Sequence, residues 1–150
     1  MITRRRSATP LPVAVAARAV ALVALLATPA GAAKVKTIGT GTASGGSADV
    51  SVDGEIKRPQ SIWIAVTATP AVPLDGFVSL SCSRRNGSSS NFLDFEPMVP
   101  PFELTAPLPV RRPEGCSVYA NAYVDDFESA STVGLTVYGT QYRKKKRRRH

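Results

Sequence analysis

Beyond Asp49, apolar and polar residues alternate in short runs that Pro, Gly, Asn or Asp interrupts every eight to twelve residues or so, the pattern of half-buried β-strands. SIWIAVTA places Ile62, Ile64, Val66 and Ala68 on one face and Trp63 on the other. FVSLSCS gathers Val78, Leu80 and Cys82, CSVYANAYV gathers Cys116, Val118, Ala120, Ala122 and Val124, and TVGLTVYG gathers Val133, Leu135 and Val137. FELTAPLPV alternates Phe102, Leu104, Ala106, Leu108 and Val110, with Pro107 and Pro109 on the opposite parity, where missing amide donors suit an edge strand. DVSVDGEIKR predicts a strand interrupted by an Asp53-Gly54 turn, NFLDF a short strand before the breaker PMVPP, RRNGSSSN a polar loop and RRPEG a turn. Six or seven strands with one apolar face each bury those faces economically as two packed sheets. The expected fold is an all-β, two-sheet antiparallel sandwich over residues 49–140.

The amino end has a different texture. Arg4, Arg5 and Arg6 precede the apolar stretch VAVAARAVALVALLA, broken once by Arg18, and Ala30-Gly31-Ala32 fits the small-x-small rule of signal peptidase. Residues 1–32 therefore read as a signal peptide. The alternative is an uncleaved anchor, which has to span about 30 Å of hydrocarbon. The run after Arg18, AVALVALLA, is too short for that, so no transmembrane span is expected in the mature chain. Residues 33–48, AKVKTIGTGTASGGSA, are rich in Gly, Ser and Thr and read as a flexible lead. Residues 141–150 read as a polybasic tail disordered by self-repulsion.

Export sets an oxidising compartment, in which the even pair Cys82 and Cys116 is expected to form a disulfide. Closing a loop of about 35 residues stabilises by roughly 3.5 to 4 kcal/mol in the loop-entropy picture. Both cysteines share parity with the inward residues of their strands, which places the cystine between the sheets. The net charge of +8 belongs to the ends. Residues 33–150 carry 15 basic and 11 acidic side chains. Without the unbroken run Arg143, Lys144, Lys145, Lys146, Arg147, Arg148 and Arg149, the balance is 8 to 11, a net of −3.

VSLSC and CSVYANAYV, with the final TVGLTVYG, resemble the second, sixth and seventh strands of an immunoglobulin-like sandwich, Cys82 and Cys116 taking the bridging positions. The likeness covers part of the chain. No Trp lies between the cysteines, and Glu114 stands two before the second of them, where that family places its corner tyrosine. The alanine-rich leader, Gly/Ser lead, strand-rich body and LPVRRPEGC turn before two last strands are similar to small exported one-disulfide proteins of actinobacteria. That resemblance implies a fold and an address, and supplies no site.

Catalytic residues do not assemble from this sequence. The one histidine, His150, ends the charged run, where it cannot be held against a nucleophile. Two cysteines and one histidine fall short of a four-ligand zinc site. No cofactor or metal is expected; Asp125, Asp126 and Glu128 in VDDFES are a weak Ca²⁺ candidate that reads more simply as a solvated turn. Trp63, Tyr119 and Tyr123 lie opposite to the inward parity. If their strands are neighbours they form an outer aromatic patch for a glycan or protein partner; the plainer reading has the Met98–Pro101 connection covering them.

The tail remains. Outside the cell it can reach lipid headgroups, anionic envelope polymers or extracellular nucleic acid, and near an anionic membrane each Lys or Arg contributes about 1 kcal/mol. No Phe or Trp is interleaved with the charges, so base stacking is poorly supported. The expectation is a secreted, envelope-associated, noncatalytic binding or structural module tethered by its tail. The alternative is a polyanion or nucleic-acid binder whose tail is the site, and a third reading is a small hydrolase using the VDDFES carboxylates.

Overall fold

The computed structural model describes residues 33–125 and 130–142. Eight strands follow in order: β1 (Val35–Gly45), β2 (Asp49–Lys57), β3 (Pro59–Thr69), β4 (Leu74–Arg84), β5 (Gly87–Met98), β6 (Phe102–Ala106), β7 (Gly115–Val124) and β8 (Ser131–Gln141). They form two four-stranded sheets, β1-β8-β3-β6 and β2-β7-β4-β5. Every ladder is antiparallel. Ile62, Ile64, Val66, Val133, Leu135 and Val137 from the first sheet meet Val50, Val52, Ile56, Val78, Leu80 and Val118 from the second in one buried core. The alternation thus assigned the inward faces of β3, β4, β7 and β8 correctly, with Ala68 only partly buried.

Several local expectations need correction. RRNGSSSN is a loop only at its start, because Gly87 already begins β5, which continues beyond NFLDF through Pro97 to Met98 and pairs with β4. Residues 33–48 are not a flexible lead, because most of them form β1, paired with β8 along its length. Their glycines serve close approach: a Cβ on Gly41 would stand 2.9 Å from Val50 Cγ2 and 3.2 Å from Val52 Cγ2. Bare backbone there lets β1 of one sheet settle against β2 of the other. Asp53-Gly54 is not a turn either; both residues lie inside β2, opposite Tyr119 and Val118. A Cβ on Gly54 would meet Ile38 Cγ2 at 2.6 Å, so this glycine makes room for β1. Finally, FELTAPLPV stays a strand only to Ala106, the end of edge strand β6. Its prolines fall in the irregular lead into β7, and there the Asn91 side chain donates to the Pro107 carbonyl at 2.9 Å.

Cys82 and Cys116 form the expected disulfide, buried, with Cα atoms 4.1 Å apart. They are direct cross-strand partners on β4 and β7 of a single sheet, so the cystine does not bridge the two sheets. Both residues do face the core, as their parity required, but inward parity is shared by neighbours in one ladder as well as by residues across the sandwich. The bridging geometry of an immunoglobulin-like sandwich is therefore absent here.

Successive strands reverse direction, and their connections alternate between the two ends of the sandwich. At one end lie the β2–β3, β4–β5 and β6–β7 connections, the start of β1 and the finish of β8. The other end holds the remaining four connections. This division positions the site.

Candidate polyanion-binding end

Every lysine and arginine among the described residues stands at the first of these ends. Lys34 and Lys36 flank the start of β1, Lys57 and Arg58 form the β2–β3 corner, Arg84 and Arg85 the β4–β5 hairpin, and Arg111 and Arg112 the β6–β7 connection. All eight are exposed. The carboxylates near them are Glu55 and Glu114, which leaves the cations in large excess. Arg84, Arg85, Asn86, Gly87, Ser88 and Val110 line an open depression of about 350 Å³.

The backbone presents two of these residues by a repeated device. Arg58 and Arg112 both adopt positive φ, 49° and 53°, a region that non-glycine residues seldom occupy. Each precedes a fully buried proline, Pro59 and Pro113. The prolines close the core, and the arginines before them project into water. Arg58 is fixed on both sides: its N–H donates to the Glu114 carbonyl at 2.9 Å, and its carbonyl accepts from the Tyr142 N–H at 3.0 Å. The Gln141 amide adds a bond to the Lys57 carbonyl at 2.9 Å, and the Glu114 N–H donates to the Ser83 carbonyl at 2.8 Å.

Acidic groups gather at the opposite end: Asp49, Asp75, Glu96 and Asp125. Asp75 titrates above the ordinary aspartate range, first because it is partly desolvated, then because it hydrogen-bonds Asp125 and feels the charges of Asp125 and Glu96. Along β4 eight residues separate Asp75 from Ser83 at the basic end, about 27 Å at the usual rise per residue. The Debye length at physiological salt is about 8 Å, so each end acts as its own electrostatic surface.

The strands carrying the outer aromatics are not all neighbours, so the conditional patch of Trp63, Tyr119 and Tyr123 does not assemble. Trp63 lies on β3 of one sheet, and Tyr119 and Tyr123 lie on β7 of the other. Trp63 stacks on Tyr138, with centroids 5.6 Å apart and planes 23° apart. On the other outer face Phe77 stacks on Phe92 at 5.0 Å and 26°, and Tyr119 tilts against Phe77 at 5.7 Å. Pairs at these separations are offset or tilted, each ring covering part of its neighbour. Tyr119 and Tyr123 remain exposed, so no connection covers them.

Of the weak Ca²⁺ candidate, Asp126 and Glu128 lie outside the described residues, and Asp125 is engaged with Asp75. Among the described residues no three His, Cys, Asp or Glu side chains are placed to hold a metal ion, and no helix is long and apolar enough to cross a membrane. Arg143, Lys144, Lys145, Lys146, Arg147, Arg148, Arg149 and His150 are outside the described residues, as is the segment read as a signal peptide. Comparison with protein-family models, curated proteins and solved structures finds no match.

Proposed function

We propose that this chain is a secreted, noncatalytic module associated with the cell envelope, held there by electrostatic attraction between its basic tail, Arg143 to Arg149, and an anionic polymer or anionic headgroups. One observation carries the reading. The chain leaves β8 at Gln141, at the end where the fold gathers all eight described cations and far from the acidic end. The seven tail cations follow in the chain directly after that end, so the body presents a surface of the same sign where they are attached, and its net of −3 does not oppose them there. A formed, buried cystine is in keeping with an oxidising compartment.

Washing producing cells with increasing salt tests this. The full chain should be released as salt rises, and a full-length chain whose seven tail cations are replaced by serine should come off at lower salt. Retention of the full chain through a high-salt wash would sink the electrostatic tether, and identical release of the two chains would remove the tail from it.

A further inference from the structure

We infer that the basic end of the folded body is itself a docking surface for an anionic lipid membrane, working without the tail and meeting the bilayer end-on. The inference rests on the electrostatic reading above and names the partner of that end. Every connection there contributes cations: Arg58 at one corner, Arg84 and Arg85 at the hairpin, Arg111 and Arg112 in the third, with Lys34, Lys36 and Lys57 at strand ends. Charge spread across a whole face, over shallow depressions, matches a plane of headgroups better than a single polymer strand lying in a groove.

Two exposed apolar residues sit among these charges. Val35 is 54% exposed and Tyr142 39% exposed; Val35 pairs with Thr140 on β8, and Tyr142 is bonded to the Arg58 corner. An apolar or amphipathic side chain ringed by cations is what the headgroup boundary accommodates, with Tyr at the level of the polar heads and Lys and Arg reaching phosphates. A purely electrostatic polymer site has no use for them. Two members of the array are anchored at the backbone before any contact is made, Arg58 by bonds on both of its sides and Arg58 and Arg112 each by the buried proline that follows.

The test uses full-length chains and sedimentation with vesicles of phosphatidylcholine alone or with about one third phosphatidylglycerol. The chain with its seven tail cations replaced by serine should still partition onto the anionic vesicles and leave the neutral ones. Near an anionic surface each cation is worth about fivefold in partition, so adding Arg84→Ser and Arg85→Ser to that chain should weaken it roughly 25-fold. Arg111→Ser with Arg112→Gly should do the same, and serves if the hairpin pair unfolds the protein, as judged by its melting transition. Tyr142→Ser should weaken binding at unchanged charge.

If the tail-neutral chain loses all vesicle binding while the unaltered chain still binds, the docking surface is wrong and the tail tether stands. If the tail-neutral chain is retained by soluble polyphosphate but ignores vesicles, the partner is a polymer and the membrane inference is overturned. If the unaltered chain binds neither, the electrostatic reading itself fails.

Discussion

Replacing Arg58 by glycine should raise stability and lower binding at once. Arg58 holds φ at 49° because its N–H and C=O are both committed, to Glu114 and from Tyr142, so the surroundings over-determine a conformation that a side chain resists. A non-glycine residue in this region is strained by about 1 to 2 kcal/mol, and glycine gives back roughly 0.5 to 1 kcal/mol through the greater freedom of its unfolded chain. The net gain is about 0.5 to 1 kcal/mol, a rise of a few degrees in melting temperature for a domain of this size. Removing one cation from the basic end costs about 1 kcal/mol of attraction to an anionic membrane, about fivefold in partition. Arg58→Ala is the control: it loses the same charge but keeps the strain, so it should bind like the glycine variant and melt no higher than the parent. Thermal unfolding and vesicle partition of the three chains decide the matter. If Arg58→Gly were destabilised by more than about 1 kcal/mol, or bound as the parent does, the arginine would be serving packing and the reasoning would be refuted.

Gly41→Val should lower stability by about 1 to 3 kcal/mol, since the new side chain would be driven into Val50 and Val52; an unchanged urea midpoint would mean that β1 is not seated on β2. Replacing Cys82 and Cys116 together by alanine should remove roughly 3.5 to 4 kcal/mol, from a loop of 34 residues, read as the difference in urea midpoint between the oxidised parent and the variant. Asp75→Asn should stabilise the protein at neutral pH and flatten its acid profile: with the folded-state pKa raised, the native state holds the proton more tightly. The parent therefore loses stability as pH rises from about 3.9, the unfolded value, through the folded one. An Asn variant whose melting temperature keeps the parent's dependence over that window would show that Asp75 is not its source.

Much of the sandwich was legible because inward parity is a local property: Ile62, Ile64 and Val66 on β3, and Cys116, Val118, Ala120, Ala122 and Val124 on β7, recur at every second position, and each is buried. Glycine misled at the edge. In TIGTGTASGG and in DVSVDGEI it reads as flexibility or a turn, whereas in the fold Gly41 and Gly54 are where strands of opposite sheets come close. Nothing in a single strand's pattern distinguishes those uses, because the group that needs the space belongs to another strand. The cystine was misplaced for a related reason, since parity fixes the face of a residue but not whether its partner lies beside it or across the core. The basic end was within reach of the sequence. With strands reversing in turn, KRPQ, RRNG and RRPEG all fall at one end, where β8 also finishes. A balance of −3 hides this, because it adds charges without locating them.

Location also governs how the body should respond to salt. At about 0.15 M the screening length of about 8 Å is well short of the roughly 27 Å between Asp75 and the basic end, so an anionic surface approaching that end meets its cations and not the carboxylates beyond. At about 0.01 M the screening length grows to about 30 Å, and the body's net of −3 is felt together with the basic end. A uniformly basic protein binds an anionic surface more tightly at every step down in salt. The tail-neutral chain should instead gain affinity for phosphatidylglycerol vesicles as salt falls toward physiological strength, then level off or decline below about 0.05 M, where the acidic end begins to repel the membrane. Charge-neutralising the far end with Asp49→Asn, Glu96→Gln and Asp125→Asn should restore the steady rise. If the tail-neutral parent already rises steadily to the lowest salt, the two ends are not electrostatically separate, and the docking surface is not confined to the end that carries the arginines.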